Sequence, residues 1–518
     1  MHQKISVPGL IIAGLSGGSG KTVISLGITA AWKDLNIKIA SFKKGPDYID
    51  AGWLAKAAGR PCYNLDTFLC TPSQVESSFQ KNSLHSDIAV IEGNRGLYDG
   101  IDMYGTTSTA EIAKLLHLPV LLVLDCTKST RTMAALVLGC MHFDPELDIM
   151  GVVLNRIAGK RHEDKVRDNI EKFCNIPVFG AIPKLKTENF PERHMGLVPY
   201  VETTLSSISI SFAAKIARDN IDLSALYKAC IQKADEQDRQ TDGPAIDKPD
   251  PIGLSCSEHP ESPFPRSVNS PCSISSCDRF SDSALGMGTR DISSNNTARL
   301  NQSVVIGIIR DSAFQFYYPD NLEALQEKGA KLKFISPLKE SFIPPVHAIY
   351  MGGGFPETHA RELTSNKAFR DNLRIFAENG MPIYAECGGL IFLGKSMCLD
   401  GEIFPMSGIL PVSFGLSKRP VGHGYTKVKV IHKNPFYKIG ETIKGHEFRY
   451  SSIIDIEYNK NDMAFQMKRG KGIIDRMDGF CKYNVLGTYT HIMAIATPSW
   501  AEAMVIKAAQ YRQWLEKR

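Results

Sequence analysis

A buried-strand run, Leu10-Ile11-Ile12-Ala13-Gly14, leads into the loop Leu15-Ser16-Gly17-Gly18-Ser19-Gly20-Lys21-Thr22 and then the apolar helical stretch Val23 to Trp32. Few architectures accept that order. A strand, a tight glycine turn and a helix form the first step of a parallel crossover unit, and repeated units build a doubly wound sheet. Loop amides and the helix N-terminus can cradle phosphate oxygens, Lys21 can neutralise their charge, and the Thr22 hydroxyl can ligate Mg²⁺. The candidate cradle is Gly17, Gly18, Ser19, Gly20, Lys21 and Thr22. The spacing departs from G-x-x-x-x-G-K-[ST], which wants glycine where Leu15 stands; Gly14 is one residue early. A glycine turn without phosphate is the alternative.

Residues 6 to about 230 keep alternating short apolar strands with amphipathic helices. Val120–Leu124, Gly151–Leu154 and Val178–Ile182 are further strand candidates. Acidic residues at strand ends beside a phosphate cradle are oxygen ligands for Mg²⁺. Asp47 and Asp50 lie in the charged loop after Ile39-Ala40-Ser41-Phe42-Lys43-Lys44, and Glu92 ends the run Asp87 to Glu92. Lys43 and Lys44 read either as a solvated pair or as cations that stabilise developing charge.

From about 234 to 301 Ser, Asp, Pro and Asn dominate, a composition that cannot bury enough surface to fold alone and reads as a linker. A second α/β segment begins at Ser303. In it, Pro382-Ile383-Tyr384-Ala385-Glu386 runs into Cys387-Gly388-Gly389, the pattern of a nucleophile elbow with sulfur in place of serine. A buried structural cysteine is the alternative. Gly352-Gly353-Gly354 follows another strand-like run, where bare backbone can approach an oxyanion. His491 ends the run Leu486 to His491 and suits the base that turns a thiol into a thiolate. His446 is a second candidate for that base. Together these features read as a cysteine amide hydrolase.

At 518 residues the chain exceeds one ordinary core, so two or three domains are expected. A net charge of +5 is small for this size and argues against nucleic acid as a partner. No apolar run reaches a membrane span, and the N-terminal stretch lacks the parts of a signal peptide. Twelve cysteines without metal-finger spacing fit a reducing cytoplasm. The expected fold class is α/β: two doubly wound, mainly parallel-sheet domains, one P-loop NTPase-like (1–233) and one carrying the cysteine amide hydrolase features (302–518), joined by a disordered linker (234–301). One half spends nucleotide and the other releases nitrogen from an amide, which suggests ammonia made at one site and used at the other.

The residues resemble the cobyrinic acid a,c-diamide synthases, which join a dethiobiotin-synthetase-like ATP domain to a class I glutamine amidotransferase domain. The resemblance is carried by Phe42-Lys43-Lys44-Gly45-Pro46-Asp47-Tyr48-Ile49-Asp50, Glu92-Gly93-Asn94-Arg95-Gly96-Leu97-Tyr98-Asp99-Gly100 and Pro191-Glu192-Arg193-His194. It continues in Gly352 to Glu357, Ala385-Glu386-Cys387-Gly388-Gly389 and Gly445-His446-Glu447-Phe448. The longer phosphate loop is also the form this family uses. The resemblance implies ATP and Mg²⁺ as cofactors, L-glutamine as nitrogen donor and a tetrapyrrole carboxylic acid, cobyrinate first, as acceptor. It implies Cys387 and His491 as catalytic residues and an oxyanion hole at Gly353 and Gly388. It further implies Lys21 and Lys43 at the ATP, Thr22, Asp47 and Glu92 at the metal, and Tyr48 and Asp50 positioning the reacting carboxylate. A homodimer stays open.

The chain departs from the family pattern in four places. Met493 stands where class I amidotransferases often carry glutamate, and Arg449 where a second histidine is expected. Lys44 replaces a valine, and Ala51-Gly52-Trp53 replaces a Pro-Gly-Phe-His-like stretch. Lys44 and Ala51 to Trp53 border the substrate loop, which makes them candidates for setting the acceptor; siroheme and nickel-sirohydrochlorin are alternatives to cobyrinate. Cobyric acid synthase chemistry and a partitioning-type regulatory ATPase are more distant readings, the latter lacking its extra loop lysine at Ser16.

Overall fold

Strand runs that are apolar at every position need cover on both faces, and the first half supplies it. The computed structural model describes residues 7–185, 192–193, 196–197, 206–241 and 303–518. Pro191 and His194 of the family pattern, and residues 242–302, lie outside them. Seven strands, β1 (Gly9–Gly14), β2 (Ile39–Lys44), β3 (Cys62–Leu65), β4 (Ile88–Glu92), β5 (Val120–Asp125), β6 (Ile149–Ile157) and β7 (Val178–Pro183), form one sheet in the order β3-β2-β4-β1-β5-β6-β7. Every pairing in it is parallel. Alternate residues of β1 enter opposite cores: Leu10 and Ile12 pack with helix Lys21–Asp34, while Ile11 and Ala13 join Ala40, Phe42 and Leu122 on the other face. The strand candidates at 120, 151 and 178 are all present, each within a residue or a few of its expected ends.

The second half has a nine-stranded sheet. Strands Lys331–Ile335, Val305–Ile309, Ala348–Met351, Ile383–Glu386 and Val485–Thr488 are neighbours in that order and run parallel. Strands Met477–Lys482, Met463–Arg469, Gly422–Val430 and Thr442–Arg449 extend it as an antiparallel ladder. A separate four-stranded sheet lies between residues 396 and 456. The α/β class with parallel sheets therefore holds in both halves, with an antiparallel extension in the second that the strand count from sequence did not include.

Helix Leu223–Thr241 continues through eight residues read as linker, 234 to 241, so the composition change begins inside a helix. Its inner face carries Leu226 and Cys230 into the core with Trp32, and the polar outer face alone looked like linker.

The described residues up to 238, together with 303–518, belong to one compact unit. Tyr318 and Met493 of the second half are buried in the same apolar cluster as Phe42, Leu65 and Leu69 of the first. The Tyr425 hydroxyl donates to Asp66 at 2.5 Å, the Gln74 amide to the Ile495 carbonyl at 2.7 Å, and Lys444 to the Phe68 carbonyl at 2.9 Å. Strand ends from both halves consequently meet around shared space.

Candidate active site

The phosphate loop closes on itself. Lys21 Nζ donates to the Ser16 carbonyl at 2.9 Å, and Asn155 Nδ2 donates to the Ser19 carbonyl at 2.8 Å. Gly20 sits at φ 95°, and a Cβ there would lie 2.2 Å from Asn155 Nδ2, so only glycine fits. Gly18 is likewise left-handed at φ 73°, and Arg156 donates to its carbonyl at 3.0 Å. Gly17, Gly18, Ser19, Gly20, Lys21 and Thr22 make the turn from β1 into helix Lys21–Asp34. Asn155 and Arg156 escaped the sequence reading; the signal was a polar pair at the end of the apolar run of β6.

Three acidic groups surround one lysine. Lys43 Nζ bonds Asp50 at 2.7 Å and Glu92 at 2.8 Å, and the Thr22 hydroxyl donates to Glu92 Oε1 at 2.7 Å. Burial opposes the Lys43 charge, but Asp50 and Glu92 outweigh it and raise its pKa. Burial raises Glu92, and burial followed by the charge of Asp50 lifts Asp47 to about 7. Asp47 Oδ1 also accepts from the Ile49 and Asp50 amides at 2.9 Å each, which starts helix Ile49–Ala58.

Mg²⁺ fits this corner. Glu92 Oε2 is buried without a partner beside the Thr22 hydroxyl, and carboxylates held above their usual pKa favour a cation. No group of three or more His, Cys, Asp or Glu is gathered for a metal among the described residues.

In the second half Cys387 follows strand Ile383–Glu386 at φ 46° and ψ −97°, a backbone strained for any side chain. Its amide donates to the Thr488 carbonyl at 2.8 Å, which ties the elbow to the strand that leads to His491. The thiol points to the Phe448 carbonyl at 3.9 Å and acts electrostatically on His491. Gly353 lies against the same ring, since a Cβ there would sit 2.6 Å from His491 Cε1. Gly388 follows the cysteine and opens helix Gly388–Leu393.

The group that faces His491 is Glu386, the residue before the cysteine. Its Oε2 lies 3.3 Å from His491 Nδ1 and accepts from the Tyr350 hydroxyl at 3.2 Å, while Oε1 accepts from the Ile492 amide at 3.2 Å. Glu386 is fully buried. Burial works against a charged His491, but the Cys387 thiol and Glu386 prevail and lift the imidazole to about 10. Nδ1 is turned to Glu386, which leaves Nε2 for sulfur. Met493, at the position where a glutamate was expected, is buried in the apolar cluster between the halves instead. Glu386 was missed because it reads as the last residue of an apolar strand.

His446 stacks on His491 with centroids 4.9 Å apart, and the two exchange backbone hydrogen bonds at 3.1 and 2.8 Å. Burial, and then the neighbouring His491, push it well below the usual histidine range, so it stays neutral. Arg449 is also buried, its guanidinium 3.9 Å from the Tyr489 ring centroid and bonded to the carbonyls of Ser451 and Gly472.

Tyr48 joins the two sets. Its hydroxyl lies 3.4 Å from His491 Nδ1, and its ring stacks on Phe316 at 5.1 Å. Lys21, Thr22, Asp47, Asp50 and His491 line one cavity of about 1180 Å³, together with Lys44, Arg95, His423 and Arg469. Of the departures near the substrate loop, Lys44 reaches this cavity. Trp53 does not: helical periodicity turns Ala51, Trp53 and Leu54 into the core with Trp32. That part of the substrate-loop expectation is corrected.

Residues 10–198 match the CobQ/CobB/MinD/ParA nucleotide binding domain, and residues 305–498 match the CobB/CobQ-like glutamine amidotransferase domain. The chain is accordingly an ATP-dependent carbon–nitrogen ligase that uses glutamine as its nitrogen donor. It is 36% identical to the cobyrinate a,c-diamide synthase of Magnetococcus marinus, over 96% of either chain. It is 34% identical to those of Methanosphaera stadtmanae (95% of this chain, 97% of that one) and Archaeoglobus fulgidus (97% and 98%). The chain belongs to the cobyrinate a,c-diamide synthase family. Among the described residues no helix is long and apolar enough to cross a membrane.

Proposed function

We propose that the chain converts cobyrinate to its a,c-diamide in cobalamin synthesis, with glutamine-derived ammonia and two rounds of ATP use. The reading rests on one observation above all: the phosphate loop, Asp47, Asp50 and His491 border a single cavity.

In this scheme Cys387 attacks the side-chain amide carbon of glutamine. The oxyanion is held by backbone N–H groups of Gly353 and Gly388. His491, oriented by Glu386, gives its proton to the departing ammonia, and water then clears the thioester. In the other half ATP phosphorylates a peripheral carboxylate, and ammonia displaces phosphate from the acyl phosphate. Lys21 and Lys43 balance the developing charge on the phosphoryl oxygens. Thr22, Glu92 and Asp47 would hold Mg²⁺, which when bound supplies further charge neutralisation at the phosphates. Tyr48 and Asp50 position the acceptor carboxylate.

The test is product mass after incubation with MgATP, glutamine and, separately, cobyrinate, siroheme and nickel-sirohydrochlorin. Two amidations on cobyrinate are expected. Amidation of siroheme or nickel-sirohydrochlorin alone overturns the substrate and leaves the chemistry.

A further inference from the structure

A substrate amidated at some carboxylates must be held by others, and one wall of the cavity has the charge to do so. Side chains alternate across a strand, so the last two residues of β2 face opposite ways. Lys43 is bonded to Asp50 and Glu92 by the phosphate loop. Lys44 keeps the parity of Ala40 and Phe42, whose cluster also holds Tyr318 and Met493 of the second half. It is only 5% exposed and lines the cavity, and its ammonium makes no hydrogen bond or ion pair among the described residues. Burial holds its ammonium below the usual lysine range despite the pull of Asp66 and Asp99, with Arg95 and Lys43 repelling it, so a further negative charge at this position is favourable.

Two more cations line the same cavity. Arg95, in the loop after β4, is exposed and held at φ 53°. Arg469 comes from strand Met463–Arg469 of the other half, with its guanidinium 5.5 Å from the Phe68 ring centroid. Neither has an ion pair among the described residues. The nearby acids are already engaged. Asp66 accepts from Tyr425, Phe68 and Leu69. Asp99 accepts from the Gly96 amide, and Glu447 from the Lys471 and Gly472 amides. His423, on the same wall, is held below the usual histidine range by burial and then by Arg95, so it adds no positive charge.

We propose that Lys44, Arg95 and Arg469 form a subsite for carboxylate arms of the macrocycle other than the one being amidated. This rests on the proposed function, because it takes a polycarboxylate as the acceptor. With the arms on this wall, the ring is set by charge while Tyr48 and Asp50 take the reacting arm. The wall fits a ligand bearing several negative charges spread around a rim, and a neutral or singly charged acceptor gains little from it.

The test measures KM for the macrocycle, for ATP and for glutamine in wild type, Lys44→Met, Arg95→Gln and Arg469→Gln full-length protein, on whichever macrocycle the wild type amidates. Each loss of a charge-assisted bond should raise the macrocycle KM about tenfold, with the ATP and glutamine KM within about twofold. Lys44→Arg should restore part of the loss. Arg95 is exposed, so Arg95→Gln reports even if the buried Lys44→Met folds poorly. An unchanged macrocycle KM in all three variants overturns the subsite and leaves the proposed function standing. A rise in the ATP KM instead reassigns the wall to phosphate and also overturns it. A wild type that amidates no macrocycle removes the proposed function and the subsite together.

Discussion

The two halves both place chemistry at the C-terminal ends of parallel strands, yet they fill those ends differently. In the first half every site residue follows a strand of one fully parallel sheet: the phosphate loop after β1, Asp47 to Asp50 after β2, Glu92 at the end of β4, and Asn155 in β6. In the second half Gly353, Glu386, Cys387, Gly388 and His491 end or follow parallel strands. His423, Tyr425, His446 and Arg469 come from the antiparallel extension. A parallel strand end is a fixed place in a fold, whereas an antiparallel ladder aims a side chain by its register. The first half thus gathers its site at strand ends alone, and the extension adds its side chains to the same cavity through strand register.

The sharpest way to break that comparison is to disable each half alone. Cys387→Ser should lower glutamine-driven synthesis by at least about 10³-fold and leave ammonia-driven synthesis intact, since only the proposed nucleophile is lost. Equal loss with ammonia would show that the halves do not divide the work. In the other direction, Glu92→Gln and Asp47→Asn should each lower synthesis by on the order of 10²- to 10³-fold while glutamine hydrolysis remains measurable. Full synthesis in both variants would move the metal site elsewhere.

Glu386→Gln tests the replacement for the usual glutamate. Glutamine turnover should fall by about 10²-fold, with ammonia-driven synthesis unaffected. The pH profile gives the sign. Glu386 is one of the groups that lift His491 to about 10, so the imidazolium should persist below that pH in wild type. Removing the carboxylate lowers that value, and the alkaline fall in turnover should begin at lower pH. An alkaline limb that stays in place would reduce Glu386 to packing. Met493→Ala, by contrast, should destabilise the protein by about 2–3 kcal/mol through a cavity between the halves, read from denaturant midpoints.

The parallel elements were legible because their signals are local: an apolar run, a glycine turn, then a charged or reactive side chain. Leu10 to Thr22 and Pro382 to Gly389 each carry the whole message within a dozen or so residues. Glu386 and Met493 were not legible, since their exchange of duties depends on which strand lies beside which. Tyr48 was read as a substrate residue, and nothing in its neighbourhood in the chain connects it with His491, 443 positions away. Lys44 and Trp53 looked equivalent as departures near one loop. Strand alternation sends one to the cavity, and helical periodicity sends the other to the core.

Cys387 sits in a backbone conformation that suits glycine, and the chain keeps a side chain there anyway. Such a residue makes the fold less stable than it need be, by about 1–3 kcal/mol. Cys387→Gly should therefore melt above Cys387→Ala, the reverse of what an empty side-chain site would give elsewhere in a core. The neighbouring strands hold the elbow bent through the Thr488 carbonyl, and the heat resistance forgone is the mark of a position shaped by work rather than by folding.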